Sequence, residues 1–320
     1  MSENIQESKM SKYSESAVRQ ICLKQDIAAV FTIECKDGWI KEEGDEPIDV
    51  IAVFDGHGTE FVIDTIRNLD LQEHFTKSDT AESIQQIINK KIENNTNLLY
   101  NTSNYKKCII HRNKKFYERS SGATLSSVYI CRNFKTNKIK IQAEWLGDSP
   151  IFVFVNGECV FHSEPHNAKN DNELTYLKNK GVSFKVENSE TGFEVISENK
   201  IMYKPGKYII FENGHKLAVT RSLGHNNFTP IELQKHLIEC TTSDEVKVIV
   251  CSDGVFDMLN IDSDIEKLKT YSAEELVELS ETRWKQEWIY ENEENTRFSV
   301  DGYDDCSCAI WWQKNKVYKV

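Results

Sequence analysis

Short apolar runs rich in β-branched residues alternate along this chain with polar stretches, and the spacing of the apolar positions predicts most of its elements. "IAAVFTIEC" (27–35) and "DVIAVF" (49–54) read as strands joined by the acidic loop "KDGWIKEEGDEP". From 61 to 119 the period changes. Ser78 or Asp79 can cap a helix that carries Ile84, Ile87, Ile88 and Ile92 on one face. Strands return at "ATLSSVYICR" (123–132), "KIQAEWLG" (140–147), "PIFVFV" (150–155) and "CVFHS" (159–163). The intervening "GDSP" and "NGE" are turn chemistry and predict antiparallel hairpins.

Residues 164–216 are polar, with an apolar strand only at "KYIIF" (207–211), and read as an irregular excursion from the main body. The run "VKVIVC" (246–251) leads into Ser252-Asp253-Gly254, and two helices follow it. The second starts at Ser272 with Glu275 at capping-box spacing and sets Leu276, Leu279 and Trp288 on its inner side. "CSCAIWW" (306–312) is a last strand. Residues 1–18 are predicted to be a mobile polar tail, and 19–320 one domain without repeats or Pro/Gly-rich linkers. Hairpins separated by helix pairs predict an α+β architecture of antiparallel sheets with helices on their outer faces.

Composition narrows the class. With 39% hydrophobic residues and 10% aromatics among 320, the chain can bury a real core. Its 39 basic against 51 acidic residues, net −12, speak against a nucleic-acid binder, which needs basic surface for phosphates. The same balance suits carboxylates gathered around divalent cations. Nine cysteines, an odd number without any C-x-x-C, support neither a zinc site nor a disulfide scaffold, and point to a reducing compartment. The first residues lack an apolar signal-peptide core, and no run of about 18 apolar residues could span a membrane. The expectation is a monomeric intracellular protein, cytoplasmic or nuclear, with no membrane or nucleic-acid partner.

Carboxylates recur where apolar runs stop. "VIAVF" leads into Asp55-Gly56, "VKVIVCS" into Asp253-Gly254 and "AEWLG" into Asp148, while Asp304-Asp305 precede "CSCAIWW". Each Asp-Gly alone is ordinary turn chemistry. As a set the acids would repel one another unless a cation neutralises them, and all-oxygen ligands favour Mg²⁺ or Mn²⁺ over zinc. Glycine at 56 or 254 would let a backbone carbonyl come close to a metal. Spacing does not say whether the strand ends meet.

The blocks "VFDGHG" (53–58), "SGAT" (121–124), "WLGDSPIFVF" (145–154), "LAVTRSLG" (217–224), "VIVCSDGVFDML" (248–259) and "DDCSCAI" (304–310) resemble, in order, those of the type 2C metal-dependent protein phosphatases. The resemblance covers about residues 20–312. It implies a four-layer α-β-β-α sandwich whose strand ends converge on Mn²⁺ or Mg²⁺, two per site and in some members a third. It also implies phosphoserine and phosphothreonine proteins as substrates. Carried over, Asp55 bridges the metals, the Gly56 carbonyl, Asp253 and Asp304 are ligands, and Asp26 holds metal-bound water in the outer shell. Asp148 and Asp257, with Asp253, correspond to the third-metal acids. Gln25 stands where many members have Glu.

The implied reaction is in-line attack by a water shared between the metals, with His57 as the acid that protonates the leaving alkoxide. Thr124 and Arg221 read as packing residues, and Asp305 as a weaker ligand candidate than Asp304. The chain departs from the family at three places. The phosphate-gripping Arg is expected four to six residues before Asp26, and the nearest here is Arg19, with only Lys24 closer. His225 follows "RSLG" where Asp is usual, and is expected at the surface. Pro165-His166 replaces "DH". The excursion corresponds to the flap beside the substrate groove. The rival readings are a pseudophosphatase kept as a binding or regulatory module, and a phosphatase of small metabolites.

Overall fold

The computed structural model describes residues 11–94, 109–111, 114–116, 121–189, 192–212, 214–290 and 294–314. Two antiparallel sheets dominate it. One runs β2 (Asp26–Ile33), β3 (Ile48–His57), β5 (Leu125–Asn133), β6 (Lys138–Leu146) and β10 (Gln234–Cys240). The end of β3 also pairs with the short β4 (Gly122–Ala123), which pairs with β9 (Leu223–Gly224). The other sheet has the order β1 (Ser11–Arg19), β12 (Cys306–Lys314), β11 (Val246–Cys251), β7 (Ile151–Val155) and β8 (Glu158–His162).

Alternation along the strands makes the layers. Ile51 and Val53 face Val248, Val250, Ala309 and Trp311 in a core between the sheets. Their neighbours Val50, Ala52 and Phe54 point the other way, against helices α1 (Phe61–Arg67), α2 (Leu71–Phe75) and α3 (Thr80–Asn94). Ile249, Cys251, Ile310 and Trp312 likewise pack outward on α5 (Asp253–Phe256), α6 (Ile261–Thr270) and α7 (Ala273–Lys285). The Trp311-Trp312 pair thus fills both faces of one strand. The four-layer α-β-β-α arrangement follows.

The predicted helix caps form. Asp79 Oδ1 accepts the Glu82 amide at 3.0 Å, and Ser272 with Glu275 makes a reciprocal capping box. Ile84, Ile88 and Ile92 are buried. Trp288 corrects the reading of α7. The helix ends at Lys285, and Trp288 is buried from a short strand beyond it.

Three further expectations are corrected. Residues 11–18 are no tail, because 11–19 form β1, paired in unbroken register with β12 from Ser11↔Lys314 to Arg19↔Cys306. As an edge strand it is mostly open to solvent, which explains its polar sequence. Residues 1–10 lie outside the described ones. The "GDSP" turn makes no hairpin, since β6 and β7 belong to different sheets and the turn carries the chain between them. Asn156-Gly157 does close the β7–β8 hairpin. The 164–216 excursion is more regular than expected. It holds α4 (Asp171–Asn179), a strand pair 184–189 with 206–211, and a second pair 193–197 with 200–203. A small core of Ala168, Leu177, Ile209, Phe211 and Leu217 supports α4 there. No helix among the described residues is long and apolar enough to cross a membrane.

Candidate metal centre

The β2–β3 pair delivers the first acids. Asp26 and Asp55 are cross-strand neighbours in the β2–β3 register, and both are buried. Thr124 clamps Asp55 from the other side. Its amide donates to the Asp55 carbonyl at 2.8 Å, and its Oγ1 accepts the Asp55 amide at 3.1 Å. Thr124 Oγ1 also meets Ser149 Oγ at 2.7 Å, which ties the β3 end to the turn carrying Asp148. Gly56 has no room for a side chain, because a Cβ would lie 2.3 Å from Ile63 Cγ1 and 2.8 Å from the Gln25 carbonyl oxygen. That carbonyl accepts the Gly56 amide at 3.0 Å.

The second sheet supplies the facing acids. Asp253 opens α5 directly after β11, and Asp304 precedes β12. Gly254 brings these segments together, since a Cβ there would stand 2.0 Å from the Asp305 carbonyl oxygen and 3.2 Å from Asp304 Cβ. Asp305 has a different use. Its carboxylate accepts the amides of Cys22, Leu23 and Gln25 at 2.8, 3.2 and 2.8 Å, so it shapes the loop before Asp26. Asp257 follows one turn after Asp253, its amide donating to the Asp253 carbonyl at 2.7 Å.

Electrostatics show that these side chains share one space. Burial, then Asp253, then Asp26 and Asp304 push the Asp55 carboxyl well above the usual range. Asp304 rises through burial and then Asp253 and Asp26, and Asp148 through burial, Asp253 and Asp257. Asp26 rises through burial and then Asp305, with the nearby Ser307 and Ser252 hydroxyls opposing. Asp257, the most exposed of them, is raised by the surrounding protein and then by Asp253. Lys169 opposes the rise at Asp148 and Asp257, and Lys204 opposes it at Asp257. Both lysines come from the excursion, and no sequence signal marked them.

One oxygen on each of Asp26, Asp55, Asp148 and Asp253 is buried with no hydrogen-bond partner. Such orphaned oxygens on repelling acids fit a hard divalent cation. Among the described residues no three acidic, histidine or cysteine side chains are already drawn into a closed ligand set.

His57 ends β3 beside these acids, and burial lowers its pKa while Asp253 opposes. Its Nδ1 is buried without a partner, and its ring lies 6.0 Å from that of His225. His225 overturns the expectation of a surface residue, being fully buried. Arg19 is not brought to the acids. Its guanidinium pairs with Glu274, and with Glu281 at 3.4 Å, both on α7. Lys24 sits in the left-handed region at φ 59. Gln25 is buried, its side-chain amide donating to the Gly58 carbonyl at 3.1 Å.

The excursion is locked to the Asp148 turn by His166. The His166 amide donates to the Gly147 carbonyl at 2.8 Å, and Gly147 N donates back to Nδ1 at 3.3 Å. Nε2 therefore carries the proton and donates to Gln234 Oε1 at 2.8 Å. Arg221 grips Glu173 of α4 through Nε at 2.8 Å and Nη2 at 2.6 Å, in keeping with a packing role.

A family model described as protein phosphatase 2C matches residues 24–280. A search of curated protein sequences finds no match. Among solved structures the chain is similar to that of a C. elegans sex determining protein, at 18% identity and TM-score 0.49, covering 95% of this chain and 65% of that one. It thus spans just under two thirds of that protein. It is also similar to the S. agalactiae serine/threonine phosphatase, at 15% identity and TM-score 0.47, covering 95% and 99%. A third likeness is to the catalytic domain of serine threonine protein phosphatase PstP in complex with 2 manganese ions, at 14% identity and TM-score 0.41, covering 90% and 98%.

Proposed function

The chain belongs to the protein phosphatase 2C family, and on that premise we propose that it is a metal-dependent protein serine/threonine phosphatase. The observation that carries this is the set of buried, unpartnered oxygens on Asp26, Asp55, Asp148 and Asp253. Asp55, Asp253, Asp304 and the Gly56 carbonyl would hold the principal pair of Mn²⁺ or Mg²⁺ ions, with Asp26 in the outer shell. Asp148 and Asp257 would serve a third. When bound, such cations make water nucleophilic near neutral pH and take up charge on phosphoryl oxygens.

The chain's own residues do the rest. Thr124 and Ser149 fix the Asp55 backbone and the Asp148 turn to each other. Asp305 holds the 22–25 loop so that Asp26 enters β2 in register with Asp55. His57 supplies the proton that the departing serine or threonine alkoxide needs, worth about 10²–10⁴-fold. Lys169, rather than Arg19 or Lys204, which are engaged by Glu274 and Glu194, brings positive charge for a substrate phosphate. The idiosyncratic flap is where substrate choice resides.

The test is hydrolysis of a phosphothreonine peptide with and without Mn²⁺, by wild type and by Asp253→Ala. Activity is expected only for wild type with the ion. A wild type inactive with Mn²⁺ sinks the enzyme reading and leaves the pseudophosphatase. Activity indifferent to the ion or to Asp253 sinks the metal mechanism.

A further inference from the structure

His225 stands where the family resemblance leads one to expect Asp, and the backbone is bent to place it. Its φ of 43° lies in the left-handed region that ordinary residues avoid, directly after Gly224 at φ 74°. The ring lies on Gly122, where a Cβ would come within 2.2 Å of its Cε1 and Nδ1. A costly backbone conformation, a tailored glycine and complete burial are much to spend on a surface-type residue.

The hydrogen bonds around the ring fix its protons. Thr229 Oγ1 donates to the Ser222 carbonyl at 3.2 Å, so at 2.7 Å it accepts from Ser222 Oγ. Ser222 Oγ, its proton so used, accepts from His225 Nδ1 at 2.6 Å. His225 Nε2 is left with a lone pair, buried and without a partner. His57 Nδ1 is also buried and unpartnered, and the two rings lie 6.0 Å apart. The His215 ring lies 5.9 Å from His225.

We propose that His225 is a positioning residue for His57, accepting the His57 Nδ1–H at Nε2 through one bridging water. This rests on the phosphatase reading and assigns the partner of its proton donor. With Nδ1–H so held, the His57 imidazolium, which the Asp253 charge favours, presents its second, transferable proton on Nε2. That proton passes to the leaving alkoxide oxygen as the P–O bond breaks, and the Nδ1 proton stays. Burial, with the neighbouring His57 and His215, holds the His225 pKa well below its usual value, which keeps its lone pair available.

Leaving-group dependence tests this. p-Nitrophenolate leaves without a proton, whereas a threonine alkoxide needs one. With Mn²⁺, His225→Asn, whose side chain tolerates positive φ, is expected to lower kcat on a phosphothreonine peptide about tenfold or more. On p-nitrophenyl phosphate it should change kcat by less than about twofold, and KM little on either substrate. Adding His225→Asn to His57→Ala should cost nothing further. Equal losses on both substrates, or no loss on either, overturn the proposal.

Imidazole ¹⁵N NMR of the metal-free protein supplies a readout independent of turnover. It should find His225 protonated at Nδ1 and bare at Nε2, with the His57 Nδ1 signal moving in His225→Asn. A proton on His225 Nε2, or an unmoved His57 signal, also overturns it. A wild type inactive on both substrates that shows the expected NMR pattern removes the phosphatase reading but leaves the ring pairing.

Discussion

Lys36 and Glu144 lie as deep in the molecule, at 4% and 0% exposure, as Asp26 and Asp55, at 3% and 4%. The first pair is surrounded by partners. The Lys36 ammonium donates to Tyr129 OH at 2.8 Å, the Lys77 carbonyl at 3.0 Å and Glu144 at 3.4 Å, and lies over the Tyr129 ring. Glu144 also receives Gln142 at 2.5 Å and Lys235 at 3.1 Å. The aspartates instead face one another with oxygens left over. Both are buried ionisable pairs. Only one of them is balanced from within the chain, which marks the other as waiting for something from outside.

Removing one acid from each region should therefore have opposite effects on stability. Glu144→Ala strands the Lys36 ammonium and is expected to cost about 3–5 kcal/mol by denaturant unfolding. Asp253→Asn relieves repulsion and should leave cation-free stability unchanged or higher. Equal losses would erase the distinction.

His166 belongs to the balanced class and gives it a pH signature. Burial and Arg221 depress its pKa from 6.5 to about 4, with Glu173 and Gln234 opposing. A histidine depressed on folding stabilises above its unfolded pKa, and that contribution disappears as pH falls from about 6.5 through 4. It amounts to about 3 kcal/mol at most. The pH-dependent difference in unfolding free energy between wild type and His166→Gln should fall in that window. A flat difference would mean that charging His166 does not disturb the Gly147 turn.

For the unbalanced class, Mn²⁺ at a hundred times its Kd should raise wild-type stability by about 2.7 kcal/mol and Asp253→Asn much less. An equal rise in both would put the ion elsewhere. The smallest effect is expected at Arg19, half exposed and paired with α7. Arg19→Ala should cost below about 1 kcal/mol and leave the KM for a phosphopeptide unchanged, whereas Lys169→Ala raises it. The reverse KM pattern would restore Arg19 to the phosphate.

The acids were legible because each sits beside an apolar run that ends abruptly, a local signal. Their convergence was not, since it depends on which strands pair. Edge strand β1 was missed because its partner is distant in sequence and its outer face is polar. "GDSP" misled because one turn chemistry serves a hairpin or a crossing between sheets. The burial of His225 has no local signal at all. It needs Gly122, a hundred residues away in the sequence by rough count, to make the room.

The pairing of β1 with β12 also sets an order of events. The first described strand of its sheet lies beside the last, which fills the gap to β11. On a ribosome adding about 5–20 residues per second, β1 must wait for Cys306–Lys314 to be made before it has a neighbour. Asp304 arrives with that same late strand. A nascent chain thus carries Asp55 and Asp253 well before it can complete the sheet or the acid set. Whatever activity the folded domain has is withheld until β12 is threaded between β1 and β11, both already made.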